Sequence, residues 1–431
     1  MIDCSDARKL LDFISASPSC FHVVSNMASV LSENGFVELD ERKSFDIRPS
    51  GRYFVRRNGS SIIAFTVPDC AVRSAQIIAA HTDSPCFKLK PNPVDVSSGS
   101  YSTLNVETYG GLICSTWFDR PLSIAGRAFV RTQDGIEERL VDFNRDLVVM
   151  ASLAIHQNRE VNNGVKISVQ KECRPIIAGS SDASVLSRLL SSQLGVDESD
   201  ILDSDLFLYN RTPGVIWGAD GEFISSGRLD DLMCSYSALR AICEAEDSGR
   251  LRIVSLFDNE EVGSSSRQGA LSDFLATCFR RILFSLGLSY DEICRVQASS
   301  SMLSADNGHA LHPNYSEKCD ITNHPVVNGG VIVKYSANQK YTTDAVMGSY
   351  VRDLMQRRSI PFQIFVNNSD VTGGSTLGNL SAHQLSIPCA DVGLAQLAMH
   401  SSWESAGVAD CSHILDLFRA YLEDREVEHA K

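Results

Sequence analysis

The stretch AQIIAAHTDSP, residues 75–85, sets the architecture of the whole chain. Its first six residues are a short, mostly apolar run of the kind that fills a strand covered on both faces. The run stops at His81-Thr82-Asp83-Ser84-Pro85. A second such run, LRIVSLF at 251–257, ends in the same way on Asp258-Asn259-Glu260-Glu261. Outward from the first run, residues 5–16 and about 21–34 carry helical apolar spacing on either side of Ser17-Pro18-Ser19. GRYFVRR and SIIAFTV meet at Asn58-Gly59, a pair that turns hairpins readily because both residues tolerate positive φ. After residue 223, helices such as DLMCSYSALRAICEA, SDFLATCFRRILFSL, TDAVMGSYVRDLMQRR and SHILDLFRAYLED alternate with the strands LRIVSLF, VIVKYS, PFQIFV and CADVG. The alternation predicts an α/β domain whose central mixed sheet is flanked by helices.

Residues 90–222 have a different texture. Short alternating runs (STLNVETY, GLICSTWF, IAGRAFV, VKISVQ) are punctuated by Gly, Asn and Ser, with one helix expected near 182–193. The expected organisation is therefore a discontinuous α/β domain, 1–89 plus 223–431, interrupted by an inserted β-rich domain at 90–222.

Composition excludes several classes of function. The 431 residues carry 39 basic and 53 acidic side chains, a formal charge of −14 with no Lys/Arg block, which argues against general binding to nucleic acid or to an anionic membrane. No apolar run approaches the roughly 18 residues of a membrane span. Asp3, Asp6, Arg8, Lys9 and Asp12 interrupt the N-terminal region where a signal peptide would need an apolar core, so a cytoplasmic location is expected. The thirteen cysteines form no C-x-x-C pair, and most are expected to be small buried thiols.

The chemistry-bearing residues fall at strand ends. His81 and Asp83 follow the first strand, Glu260 and Glu261 follow LRIVSLF, and His400 closes the segment after CADVG. Ligands of α/β sheets gather outside the carboxyl ends of the strands, so these groups are expected to converge although hundreds of residues separate them. In the H-x-D pair, Asp83 is placed to accept the other ring N–H of His81, the arrangement that fixes the tautomer of a metal-bound histidine. Glu260-Glu261 can be a solvated acidic turn, or it can divide the labour between a metal ligand and a general base. Asp230-Asp231 opens a helix, where acids also complement the dipole. Asp306 has His309 and His312 nearby. Two histidines and several carboxylates with no cysteine favour a hydrolytic zinc site, with manganese or cobalt as alternatives. A shared carboxylate would make it a two-metal site. The chain contains no G-x-S-x-G, Walker A, strand-borne G-x-G-x-x-G or H-E-x-x-H motif.

Ten ordered stretches carry a resemblance over almost the full length: ASPSCFHVV, AAHTDSPCFKLKPNP, YGGLICSTWFDRPLSIAGR, LAIHQNREVN, SGRLDDL, DNEEVGS, SADNGHALHPNY, NGGVIVKYSANQKYTTDA, GGSTLG and DVGLAQLAMHS. The chain resembles the aspartyl aminopeptidases, a family of di-zinc metallopeptidases. The resemblance implies one zinc on His81 and Asp306, a second on Glu261 and His400, and Asp230 bridging them. It implies Glu260 as general base, Asp83 as the carboxylate orienting His81, and His309 as stabiliser of the developing oxyanion. It further implies that the inserted domain mediates dimerisation, that dimers assemble into a dodecamer, and that His156 reaches a neighbouring subunit's site. Substrates would be peptides with N-terminal Asp or Glu. Lys334 is the candidate cation for their side chain, with Tyr341 and the Gly374-Ser375-Thr376 turn nearby. Three positions depart from the family pattern: Asp231 where Asn is usual, Gly373 where Cys is common, and Ser402-Trp403 in place of a pair that often contains Arg. The alternatives on the same metal core are a broader aminopeptidase, a dipeptidase or a deacylase, with a non-catalytic assembly scaffold as a different class.

Overall fold

The computed structural model describes residues 3–164, 166–371, 373–374 and 376–425 of the chain. Its centre is a nine-stranded mixed sheet. The strands lie in the order Val37–Glu38, Arg52–Arg57, Ser61–Thr66, Leu251–Phe257, Ala75–His81, Ser301–Ala305, Cys389–Gly393, Val331–Tyr335 and Phe362–Val366. The hairpin expected at Asn58-Gly59 forms there, with both residues at positive φ and Arg57 opposite Ser61.

The strands Ala75–His81 and Leu251–Phe257 are buried at every position. Ile78, Ala80, Val254 and Leu256 enter one hydrophobic cluster with the helices Ser5–Ala16, Cys20–Glu33, Leu229–Glu244, Ala345–Arg357 and Asp410–Glu423. Their alternates Ile77, Ala79, Ile253 and Phe257 enter a second cluster with the helices Phe274–Ser285 and Tyr290–Ala298. The two-residue period of a strand thus feeds two cores at once, which is why these runs are continuously apolar rather than alternating. A fully buried isoleucine contributes about 1.5–3 kcal/mol, so the site stands on a stiff support.

Register positions the chemistry. Phe257 pairs in parallel with His81, Ser304 with Ala79 and Ala305 with Val392. The chain therefore leaves all four parallel strands along one edge.

A second, six-stranded sheet draws all its strands from Cys86–Ala178 and Ile201–Asn210, and has its own core around Phe87, Trp117, Ile124 and Leu208, closed by the helix Val185–Leu194. A third sheet of five short strands (Val215–Trp217, Phe223–Ser226, Glu404–Gly407, Ala395–Leu397, Gly308–His309) lies beside the exit edge. Strands of two to four residues carry too little period to be read from sequence. The helix Tyr290–Ala298, closed by a Ser289/Glu292 capping box, also lies outside the sequence reading.

All thirteen cysteines are free thiols. Fewer are buried than expected: Cys173, Cys234, Cys278, Cys389 and Cys411 are, whereas Cys70 and Cys294 are exposed and the rest half-buried. Among the described residues, no helix is long and apolar enough to cross a membrane.

Candidate metal centre

Four strand exits and one helix start deliver the candidate ligands. His81 ends its strand. Asp306 follows Ala305, Glu261 lies in the single turn Glu260–Val262 after Phe257, and His400 lies seven residues past Gly393. Asp230 opens the helix Leu229–Glu244 in a non-helical conformation, joined to Asp231 by a cis peptide. Ligand atoms of His81, Asp230, Asp231 and Asp306 lie within 4.8 Å of one another, as do those of His81, Glu260 and Glu261, and those of Asp230, Glu261 and His400.

Asp230 is shared between the two ends of this cluster. Its Oδ1 is 3.5 Å from His81 Nε2, and its Oδ2 is 3.7 Å from His400 Nε2. Glu261 Oε2 lies 3.4 Å from His400 Nε2, and Asp306 Oδ1 lies 3.9 Å from His81 Nε2. One carboxylate therefore faces two histidines with different oxygens, each histidine having a further carboxylate beside it.

Asp83 organises the turn beneath. Its carbonyl oxygen and Oδ1 lie 3.1 and 3.3 Å from His81 Nδ1, which gives that nitrogen an acceptor and leaves Nε2 for the cluster. Its carboxylate also accepts the backbone N–H groups of Glu260 and Glu261 at 3.2 Å each and the Tyr109 hydroxyl at 2.8 Å. Tyr109 ends a strand of the six-stranded sheet, and Gly111 in the bend just after it places its carbonyl 2.6 Å from His400 Nδ1 and fixes that ring in turn. Between them Gly110, at φ +77°, passes so close that a Cβ would sit 3.1 Å from Glu261 Cβ.

The donor set fits a cation. Asp83, Asp230, Asp231, Glu260, Glu261 and Asp306 outnumber the His81, His400 and Lys334 groups set among them, and the buried Oδ1 of Asp230 has no hydrogen-bond partner among the described residues. Oxygen and imidazole ligands with no thiolate suit zinc at a hydrolytic site. Burial pushes Glu260 up to about 8 and Glu261 and Asp231 well above the carboxylate range, with neighbouring carboxylates adding to it. Burial, the largest single effect, lowers His81, but the Asp230, Asp306 and Asp83 carboxylates around its ring together outweigh it and raise it well above the usual histidine value. Asp306 is held down to about 2, because Lys334 and His81 outweigh a burial effect that alone would raise it.

These directions predict how the chelated protein responds to pH. A carboxyl raised by folding stabilises the native state below its unfolded value and loses that contribution as pH climbs to its folded value; a raised histidine behaves likewise. For Glu260 the window runs from 4.5 to about 8. The melting temperature of metal-free protein should therefore fall between pH 5 and pH 8. Zinc should stabilise more strongly at the upper end, because binding displaces those protons. Thermal melts with and without zinc across that range measure both trends, and a metal-free Tm that rises with pH would contradict the charge assignment.

Of the other residues singled out from sequence, Lys334 is 1% exposed; its Nζ donates to the Asn307 carbonyl at 2.7 Å and lies 3.6 Å from Asp306 Oδ2. Tyr341 is buried with its ring 5.3 Å from Lys334 Nζ, and its hydroxyl accepts from Asn367 Nδ2 at 3.2 Å. A Cβ at position 373 would meet that same Asn367 amide at 2.2 Å, so Gly373 leaves Asn367 room to reach Tyr341. Gly374 is exposed, and Thr376 is buried with its hydroxyl on Asp391; Ser375 lies outside the described residues. His309 is exposed, within electrostatic reach of Asp230, His400 and Asp306. His156 sits on an exposed turn outside the metal-ligand groups.

Sequence reasoning missed three contributors. Asp231 was read as a departure from a family pattern, yet it is fully buried in the ligand cluster with Oδ2 3.4 Å from the His81 N–H. Tyr109 and Asp391 went unassigned. Asp391 accepts from Thr342 N at 2.5 Å and from the hydroxyls of Thr342 and Thr376 at 2.6 Å, tying the two loops that carry Tyr341 and Gly374. Their signal was their position in or beside the strands that end at the cluster.

The description Aminopeptidase I zinc metalloprotease (M18) covers the family model that matches residues 13–422. A probable M18 family aminopeptidase 2 of Clostridium acetobutylicum is 44% identical over 423 residues, covering 96% of this chain and 98% of that protein. One of Ectopseudomonas mendocina is 39% identical, covering 97% and 98%. Among solved structures, the cryo-EM structure of the Ape4 and Nbr1 complex contains a chain that superposes with a TM-score of 0.93 at 35% identity, covering 97% of this chain and 85% of that one. The S. cerevisiae mApe1 dodecamer gives 0.86 at 27% identity, covering 97% of each.

Proposed function

Because the chain belongs to the M18 family of zinc aminopeptidases, we propose that it is a di-zinc enzyme releasing N-terminal residues, preferentially Asp or Glu, from peptides, with Glu260 as general base. The observation that carries this reading is the Asp230 carboxylate set between His81 and His400 with one oxygen toward each. His81 and Asp306 would hold one zinc, Glu261 and His400 the other, and Asp230 would bridge them. Bound zinc supplies Lewis acidity toward the scissile carbonyl and makes water acidic enough to attack at neutral pH.

The chain's own groups do the rest. Glu260, next to Glu261 in the turn that Asp83 pins, takes the proton of the attacking water and hands it to the departing amine. Asp83 keeps His81 in one tautomer, and His309, near Asp230 and His400, donates to the oxygen on which negative charge develops. Lys334, beside Tyr341, supplies the positive charge for an acidic side chain. The buried pair it makes with Asp306 favours, as the second reading, a broader N-terminal preference. His156, on its exposed turn, reaches a neighbouring subunit in a homo-oligomer, for which the mApe1 dodecamer is the precedent. The β-rich sheet is the dimerisation element.

A substrate panel decides between the two specificities. Wild-type enzyme should cleave Asp- and Glu-terminal peptides with kcat/KM about tenfold or more above Leu- and Ala-terminal ones, a difference of about 1.4 kcal/mol. Lys334→Ala should erase that advantage in protein whose zinc content is matched to wild type. Faster cleavage of the neutral substrates by wild type would replace the acidic preference with the broader one. Peptides longer than two residues distinguish an aminopeptidase from a dipeptidase or deacylase.

A further inference from the structure

Glu404 is a buried carboxylate, 1% exposed, that the reaction scheme above does not use. Its Oε1 accepts the backbone N–H of His400 at 2.7 Å, and its Oε2 accepts the backbone N–H of Asp230 at 3.1 Å. The Leu229 N–H adds to the effect of these two amides, and the buried Arg228 is a cation within electrostatic reach. A carboxylate so deeply buried is costly unless its acceptors are filled, and here both oxygens are filled by main-chain donors.

The third sheet explains how one side chain reaches both. Strands Phe223–Ser226 and Glu404–Gly407 are antiparallel, with Ser226 opposite Glu404. Asp230 lies four residues beyond Ser226, and His400 lies four residues before Glu404, so both ligand segments leave the same end of this pair. Gly227 lets them run close: a Cβ there would come within 3.1 Å of the Ser402 carbonyl oxygen. Neither ligand is in regular structure. His400 has φ +65°, a left-handed conformation that histidine seldom adopts, and Asp230 departs from helical angles inside its helix. Two ligands from segments 170 residues apart, both in irregular backbone, need something to set their separation. Glu404 is the group that contacts both main chains.

We propose that Glu404 is a positioning residue for the metal centre: by bonding the main chains of Asp230 and His400 with its two oxygens, it fixes the gap into which the zinc shared by these residues fits. The proposal rests on the reading of Asp230 and His400 as ligands. Support at one remove from a metal typically accounts for about ten- to hundredfold in its affinity.

Glu404→Gln keeps the size of the side chain but offers one acceptor where two amides need one. In zinc competition against a chromophoric chelator, wild type should bind two zinc ions per subunit, and Glu404→Gln should hold one of them about ten- to hundredfold more weakly. Activity at saturating zinc should recover to within a few fold of wild type, and the visible spectrum of the cobalt-substituted protein should change in intensity, reporting altered ligand geometry. Glu404→Asp, a carboxylate one methylene shorter, should fall between the two, and it carries the test if the Gln variant does not fold. Unchanged zinc affinity in both variants, with only the metal-free melting temperature lowered, would reduce Glu404 to a structural role and overturn the proposal. If Asp230→Ala also leaves zinc binding unchanged, the ligand assignment fails instead, so the two failures are distinguishable.

Discussion

Replacing Glu260 by Gln is expected to lower kcat by about 10²–10⁴-fold while leaving zinc content and KM close to wild type. The expectation comes from how the turn after Phe257 is held. Asp83 accepts the N–H groups of Glu260 and Glu261 alike, so the backbone of the turn does not depend on either side chain. Glu261 reaches His400 as well as the His81 group, whereas Glu260 joins only the His81 group among those of the described residues. An amide in place of the Glu260 carboxylate preserves volume and the turn but cannot accept a proton from water, so the loss should fall on the chemical step rather than on binding. Glu261→Gln should behave in the opposite way, releasing zinc together with activity. Measuring zinc per subunit beside kcat and KM for both variants separates the roles. Turnover near the wild-type rate in zinc-replete Glu260→Gln would remove Glu260 from the mechanism, and a matching loss of zinc in that variant would make it a ligand instead.

The division between adjacent glutamates shows what a sequence can disclose. The two buried runs, 75–80 and 251–257, were readable because a strand packed on both faces must be apolar throughout, and the exits at His81 and Glu260 followed from where such strands end. Convergence of His81, Asp230, Glu261, Asp306 and His400 was inferable from that edge and from the family resemblance. Less visible were the groups whose role depends on main-chain contacts. Glu404 lies four residues after His400, but nothing in the pattern MHSSWE says that its oxygens meet two amides beside a pair of four-residue strands. Asp231 looked like a surplus charge because its burial beside His81 depends on the irregular backbone at Asp230. Tyr109, at the end of a strand of the six-stranded sheet, and Gly111 just beyond it reach the centre through a tertiary contact between segments that local periodicity treats separately. Lys334 was legible as a lone cation in an apolar strand; its pairing with Asp306 was not.

Asp230→Ala is expected to have opposite effects on the metal-free and zinc-bound protein. In wild type, Asp230 is 2% exposed with Oδ1 unpartnered and shares its surroundings with Asp231, Glu261 and Asp306, so a metal-free site crowds buried carboxylates around the His81 and His400 rings at a cost to the fold. Removing it should leave the chelated protein at least as stable as wild type at pH 8, where Glu260 gives up its proton. With zinc present the sign reverses. The variant lacks the carboxylate that points one oxygen at each of His81 and His400, so it should bind at most one zinc per subunit and lose activity by about 10³-fold or more, with Glu261, which also lies near both rings, left to serve a single ion. Ligand binding stabilises in proportion to the logarithm of its saturation, about 2.7 kcal/mol at a hundred times Kd, so wild type should gain several degrees of Tm on zinc addition where the variant gains far less. Melts of both proteins, chelated and zinc-loaded, with zinc counted by elemental analysis, test the whole pattern. Two zinc ions retained by Asp230→Ala would dismantle the shared-carboxylate arrangement, and a metal-free variant markedly less stable than wild type would show that Asp230 supports the fold rather than burdening it.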